Sequence, residues 1–457
     1  MSFAKLEEFT FTKMSETKLP GLSMAIIKGN EVVWTRAFGY RDLERGLAAT
    51  PHTLYGIGSV TKSFTALAIM QLAEQGKLSY DDYLEDYAPI NVRPQGERIR
   101  LSHLMNHSSG IPALAYAEAV IRGVTGAGEN WLPIASSADL FTFMSDAQDW
   151  TLTRPGERWF YLNEGYALLG YIIEKCSGMP YEDYILRHVL APLGMERSFF
   201  RKEQVECDQD AAVPYIVAEN GERKASNYSY GGLSADGALI SSVLDLAPYV
   251  SMYLGQGEYN GRRLLNSELI SLMATPQCAL PQKGPFGRGG YGFGLSVLSD
   301  FLGYKLVGHG GSVLVSTAYI GFIPEAKLGI AILANGSGYP LSQLGMYGLA
   351  LMLGKDPDEL PFVRQEKSLK ELVGTYETYR GTMKINVRRM GDLLTVETKD
   401  KYSSTIVPLL PENIFGSSRT FYTLSAGVKL PVEFRVDEEG VLFIYERYLL
   451  RKTGKLL

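Results

Sequence analysis

Cysteine is scarce. The 457 residues hold three, Cys176, Cys207 and Cys278, far apart and with neither metal-ligand spacing nor the pattern of a disulfide framework. Long runs of one charge sign are missing too, and 45 basic against 50 acidic residues leave a net charge of −5. That excludes the basic face of a nucleic-acid binder and a polybasic membrane patch. No stretch approaches the roughly 18 uninterrupted apolar residues of a membrane span. The start, Met1 to Glu8, carries no apolar signal-peptide core and no cleavage site, so the expected location is the cytoplasm. Internal repeats and low-complexity segments are also lacking. What remains, 46% hydrophobic and 21% charged residues, is the balance of a globular protein long enough for two or three domains.

Within that composition the most informative stretch is Gly58-Ser59-Val60-Thr61-Lys62. From Val60 to Gln75 the chain reads as a helix apolar nearly all round, stopped by Gly76, and such a helix belongs inside a domain. Residues three apart share a helix face, so a hydroxyl and an amine meet in a buried setting, the arrangement of an activated nucleophile. Ser59 as a simple helix cap is the competing reading.

Two short apolar runs, Leu22–Ile27 and Glu31–Phe38, flank Lys28-Gly29-Asn30 as a hairpin. Helical patterns follow at 136–146, 164–176, 180–190, 241–253 and 267–274, then strands at 305–307, 318–322 and 328–334. The fold class is α/β (α+β): an antiparallel sheet built from both ends of the domain, with a helical block between. Residues 1–354 form this domain. The proline-bearing stretch 355–366 is expected to be a linker in which helical periodicity stops. Over 367–457, alternation such as Met383/Ile385/Val387 and Val432/Phe434/Val436, broken by turns, predicts an antiparallel sandwich or small barrel.

Three further stretches carry chemistry on expected loops. Tyr161-Leu162-Asn163 precedes a helix, Gly308-His309-Gly310-Gly311-Ser312 ends a strand, and Asn106-His107-Ser108-Ser109-Gly110-Ile111-Pro112 follows Leu101–Met105. Taken with Ser59-Val60-Thr61-Lys62, in this order, they resemble the serine β-lactamase and penicillin-binding-protein superfamily. Within it the chain is similar to the D-alanyl-D-alanine carboxypeptidase B-like serine peptidases, D-aminopeptidases and class C β-lactamases. The resemblance covers roughly residues 15–350, and the C-terminal part resembles the lipocalin-like domain of some archaeal and bacterial members. It implies a β-lactamase-like sheet with an all-helical subdomain, followed by a C-terminal β-barrel. The third motif departs from the frequent Lys-Thr-Gly: here it is His309-Gly310-Gly311, which points away from an efficient β-lactamase.

The resemblance implies acyl transfer through a covalent intermediate on Ser59. Lys62 and Tyr161 are the two candidate bases; Tyr161 is named as the base, its phenol lowered by Lys62. Asn163 is expected to orient Lys62 and the substrate amide. The N–H groups of Ser59 and Ser312 would bind the oxyanion beside Gly310 and Gly311. His309 either serves the reaction or bonds the Tyr161 oxygen. His107 is read as holding its own loop; His52, His103 and His188 fall in no motif. The segments 113–150, with Trp131, and 282–294, glycine-rich and read as mobile, would shape the cleft, with Arg288 a candidate for a substrate carboxylate. No metal or cofactor is called for. The expected substrate is a small peptide, D-residues included, or an ester; a weak β-lactamase and a non-enzymatic scaffold are the alternatives. Archaeal relatives of this layout imply a homo-oligomer, up to an octamer.

Overall fold

The computed structural model describes residues 2–128, 132, 134–228, 233–399 and 401–454. The chain divides into two compact units, Met1–Lys355 and Asp356–Leu457.

In the first unit an antiparallel nine-stranded sheet runs in the order β10-β11-β12-β13-β14-β15-β1-β2-β3. The hairpin of β1 (Gly21–Lys28) and β2 (Glu31–Asp42) leads to the two-residue β3 (Leu47–Ala48). The later strands are β10 (Cys278–Gly284), β11 (Gly287–Tyr291), β12 (Ser296–Phe301), β13 (Tyr304–Ser312), β14 (Thr317–Ile323) and β15 (Leu328–Ala334). β1 pairs with β15 from Leu22↔Ala334 to Lys28↔Leu328, so the two ends of the domain meet in mid-sheet. Both strands are apolar without alternation because helices cover both faces. α10 (Val243–Leu254) packs on β1, β14 and β15, and α12 (Leu341–Met352) on β14 and β15, with α1 (Ala4–Thr17) against α12.

Between the sheet's two chain segments lies the helical block. α2 (Thr61–Glu74) is buried from Thr61 to Leu72, and Phe64 stacks on Tyr249 at 3.8 Å. Around it sit α3 (Leu101–Met105), α4 (Tyr116–Thr125), α5 (Ser137–Phe143), α6 (Asn163–Ser177), α7 (Tyr181–Ile185), α8 (Ala191–Leu193) and α9 (Lys202–Glu206). The helix expected at 180–190 is α7 continued by a π turn at Leu186–Leu190. α11 (Ser267–Met273) precedes the return to the sheet. Two-stranded ribbons join β4 (Tyr55–Gly56) to β7 (Ile240–Ser241), β5 (Tyr215–Val217) to β6 (Arg223–Ala225), and β8 (Glu258–Tyr259) to β9 (Arg262–Arg263).

Two expectations are corrected. The glycine-rich stretch at 282–294 is no mobile loop: it forms the β10–β11 hairpin and the turn into β12. Two of its glycines make room for neighbouring side chains: a Cβ on Gly289 would come within 2.9 Å of Leu280, and one on Gly290 within 2.5 Å of Pro276. Helical periodicity also continues past residue 355, where α13 (Pro361–Leu372) starts on a proline suited to a first helical turn.

The second unit is a closed barrel in which β16 (Gly374–Glu377), β17 (Lys384–Met390), β18 (Leu393–Lys399), β19 (Ser404–Asn413), β20 (Ser418–Ser425), β21 (Val428–Asp437), β22 (Gly440–Tyr445) and β23 (Tyr448–Gly454) each pair with the next, and β23 closes on β16. Alternate residues fill the interior, with Phe434 edge-on to both Phe421 (5.4 Å) and Phe443 (5.1 Å). No helix among the described residues is long and apolar enough to cross a membrane.

Candidate active site

Ser59 sits in the single 3-10 turn Gly58–Val60 that enters α2. Gly58 takes φ +51, and a Cβ there would lie 2.8 Å from the Ser312 amide nitrogen. A Cβ on Gly311 would collide with the Ile57 carbonyl and stand 3.1 Å from the Ser59 nitrogen. These two glycines let the turn press against the end of β13. The amides of Ser59 and Ser312 are thereby brought to one spot.

The capping reading of Ser59 fails: α2 has no side-chain cap, and the Ser59 hydroxyl instead accepts from Lys62 Nζ at 3.1 Å. Lys62 is 0% exposed, and its second hydrogen bond goes to the Asp236 carbonyl at 2.5 Å. The rings of Tyr161 and Tyr166 lie 5.1 and 5.5 Å from the same nitrogen. Burial pulls the Lys62 amine down to about 8, opposed by the charges of Asp236, Glu118 and Glu164.

Tyr161, just ahead of α6, brings its phenol beside the Ser59 hydroxyl, a contact that favours the phenolate. Burial outweighs that contact and pushes the phenol above the ordinary range. This reverses the expected direction: a nearby ammonium should lower the phenol, but desolvation dominates. Asn163, the first residue of α6, lines the cleft. Lys62's hydrogen bonds run to Ser59 and Asp236, so the expectation that Asn163 orients Lys62 is not met.

His309 is 4% exposed on β13, opposite Ile320 of β14. Its Nδ1–H donates to the Gly310 carbonyl at 2.6 Å, and its Nε2 accepts from the Tyr291 hydroxyl at 2.7 Å. The carbonyl partner sets this tautomer. The expected partner, the Tyr161 oxygen, is thus replaced by Tyr291; the Tyr161 ring is 6.4 Å away, centroid to centroid. Burial, then the Lys62 charge, lower the imidazole to about 4, so it is neutral near pH 7. Pairing with β12 ends at Gly308, whereas His309 to Ser312 continue paired with β14. Their other edge faces the cleft, and Gly310, Gly311 and Ser312 line it.

The cleft encloses about 870 Å³ above Ser59. Its walls combine Trp159, Leu280 and Tyr291 with Glu118 and Arg122 of α4, and with Leu314 and Tyr339. Part of the 113–150 segment therefore does border the cleft, while Trp131 lies outside the described residues. Arg288 is exposed on β11 and does not line it. Among the described residues no cluster of His, Cys, Asp and Glu is arranged for a metal.

Sequence reasoning missed Asp236, Glu164, Tyr166 and Tyr291. Glu164 is 0% exposed, its Oε1 accepts from the Tyr116 amide at 3.1 Å, and its Oε2 has no partner. Burial lifts this carboxyl to about 7. Of the four only Tyr166 falls in a spaced motif, the Tyr-x-x-Leu-Gly helix pattern that begins at Tyr166 and runs to Gly178; a largely apolar helix carrying one lysine is the other signal, since partners for its amine must lie elsewhere.

The family described as Beta-lactamase matches residues 6–350, and that described as the Pab87 octamerisation domain matches residues 357–451. The solved structure of the octameric penicillin-binding protein homologue from Pyrococcus abyssi superposes with a TM-score of 0.94 at 48% identity, covering 99% of this chain and 100% of that one. A penicillin-binding protein of Bacillus subtilis (strain 168) is 26% identical over 443 residues, 92% of this chain and 91% of that protein. Protein flp of Staphylococcus aureus (strain MW2) is 28% identical over 321 residues, 69% of this chain; the match spans 60% of flp's length.

Proposed function

We propose, for a chain that belongs to the Beta-lactamase family, a serine hydrolase that works through an acyl-enzyme on Ser59 and acts on small peptides, D-residues among them. One observation carries this reading: a half-buried hydroxyl that accepts from a buried lysine amine and stands beside a tyrosine phenol, at the floor of a cleft.

The neutral fraction of Lys62 takes the Ser59 proton as Oγ attacks the substrate carbonyl. The N–H groups of Ser59 and Ser312 receive the oxyanion. Tyr161, kept protonated by burial, hands its proton to the leaving amine, and the neighbouring Lys62 ammonium, holding the proton taken from Ser59, reprotonates it. Water then cleaves the ester by the reverse transfers. His309 holds the strand end with both ring nitrogens engaged and takes no part in proton transfer. The free edge of His309–Ser312 suits an extended peptide added as a short strand. The third-motif position holds a neutral imidazole, and the acids Glu118 and Asp236 stand on the cleft wall. With Arg122 the one cation beside them on the described wall, that distribution is weighted toward the amino end of a peptide over its terminal carboxylate.

The test compares wild type and Ser59→Ala on D- and L-aminoacyl anilides and on short acyl esters. Covalent labelling by a fluorophosphonate is located by mass spectrometry. Turnover that survives the substitution refutes the reading; preference for esters over aminoacyl anilides selects the esterase alternative.

The barrel supports a homo-oligomer, up to an octamer, the state that the Pyrococcus abyssi structure's description gives for that protein. Ile406, Leu424, Val428 and Leu449 are each more than half exposed on its strands, which is costly unless another surface covers them. Light scattering coupled to size exclusion reads the state directly.

A further inference from the structure

The loop that carries Tyr161 has no regular structure of its own, so its backbone amides need partners elsewhere. They find them on the turn at 106–112. The Leu152 amide donates to the Gly110 carbonyl at 2.9 Å, Gly156 to Ser108 at 2.7 Å, and Phe160 to His107 at 2.7 Å. The last contact is doubled. The Leu162 amide donates to Nδ1 of the same His107 at 3.0 Å. One residue therefore holds the amides on both sides of Tyr161.

His107 is built for this at a cost. It is 0% exposed and takes φ +61, a left-handed backbone that a residue with a Cβ enters only under constraint. Because Nδ1 accepts an N–H, the ring proton sits on Nε2, and that nitrogen is buried without a hydrogen-bond partner. It lies instead among aromatic rings: centroids stand 4.1 Å from Tyr161, 4.8 Å from Tyr291, 5.1 Å from Tyr166 and 6.3 Å from Trp159. The ring is thus packed against the very phenol whose hydroxyl reaches Ser59. The charged and titratable groups around it are Lys62, His309, Tyr161, Tyr166 and Tyr291; burial first, then Lys62 and His309, keep the imidazole neutral.

We propose that His107 is the positioning residue for Tyr161: its carbonyl and its Nδ1 clamp the amides of Phe160 and Leu162, holding the tyrosine hydroxyl on Ser59. It touches no substrate. The claim rests on the hydrolase reading above, but it adds a role that the 106–112 turn does not otherwise have.

The clamp needs an acceptor at the Nδ1 position, not an imidazole. Asparagine places Oδ1 at that position and tolerates a left-handed backbone. Glutamine keeps bulk and polarity but carries its oxygen one atom too far. His107→Asn is therefore expected to stay within about threefold of wild-type kcat, while His107→Gln loses about ten- to a hundredfold in kcat with KM within about twofold, the scale set by an ångström of misplacement. In a Tyr161→Phe background, His107→Gln should cost nothing further. Crystals of the Gln variant should show the Tyr161 hydroxyl displaced from Ser59, and those of the Asn variant should not. That structural readout needs no activity: a wild type without turnover or labelling sinks the hydrolase reading alone. Asn as impaired as Gln, an undiminished loss in the Tyr161→Phe background, or an unmoved Tyr161 in the Gln crystals overturns the clamp.

Discussion

Lys62 offers the sharpest test, because the burial that makes it useful also fixes its pH signature. An exposed lysine titrates at 10.5, and burial brings this one to about 8. At pH 7 the neutral share is then about one in ten, against about one in three thousand for the exposed group. The gain in available base is about 300-fold, or about 3.4 kcal/mol at 1.36 kcal/mol per pKa unit. The sign follows from the role: the amine must shed its proton before it can accept one from Ser59. So log kcat/KM for an aminoacyl anilide should climb with unit slope on the acid side and bend flat near pH 8. Tyr161 contributes no bend there, since burial moves its phenol upward. Asp236→Asn sharpens the assay. The carboxylate heads the charges that hold the lysine protonated, while its backbone carbonyl, the actual hydrogen-bond partner, survives the change. The bend should therefore move to lower pH with the plateau retained. A bend above about pH 10, where an exposed lysine titrates, a flat profile, or an upward shift in the Asn variant refutes Lys62 as the base.

Gly311→Ala should lower kcat by about 10²–10³, the loss of one oxyanion donor, with KM little changed, because its Cβ displaces the turn that carries the Ser59 amide; stopped-assay kinetics beside a thermal melt would show it. Glu164 is raised from 4.5 to about 7 in the folded chain, so its contribution to stability is complete below pH 4.5 and is lost as pH rises through 7. Urea melts at pH 5 and pH 8 should differ by an amount to which this group adds up to about 3 kcal/mol, and Glu164→Gln should flatten that difference; an unaltered slope counts against it. Ile406→Glu combined with Leu424→Glu, at positions 65% and 57% exposed, should reduce the oligomer in light scattering while leaving the far-ultraviolet circular dichroism unchanged.

Elements whose pattern is local are readable. The β1–β2 hairpin announces itself through Lys28-Gly29-Asn30, α2 through its apolar run, and the barrel through alternation such as Val432/Phe434 that faces its interior. α1, α4, α12 and α13 escape such a reading. α12 carries Gly345 and Gly348, poor helix formers chosen because a Cβ at 345 would strike the Tyr319 ring. There, packing on the sheet overrides propensity. The hairpin at 278–291 misleads for a related cause: Gly289 and Gly290 look like slack, but the side chains of Leu280 and Pro276 lie over them.

The same distinction runs through the site. Ser59, Lys62 and Tyr161 stand in short motifs, so their types can be read, but the balance of proton affinities between Lys62 and Tyr161 comes from burial, which no motif encodes. Asp236 reaches Lys62 through a carbonyl oxygen, a group every residue owns, and Tyr291 reaches His309 from another strand. The third motif shows why one slot can change its side chain and still serve. Its fixed demand is on the backbone: Gly311 must lack a Cβ for the Ser59 turn to close against β13, and the Ser312 amide must face the same spot. The side chain at 309 is free of that demand. A lysine there would place a charge beside the substrate; the neutral histidine, tied to Tyr291 and Gly310, places none. Replacing His309 should therefore alter which substrates are accepted more than whether Ser59 is acylated, and Gly311 should behave the other way round.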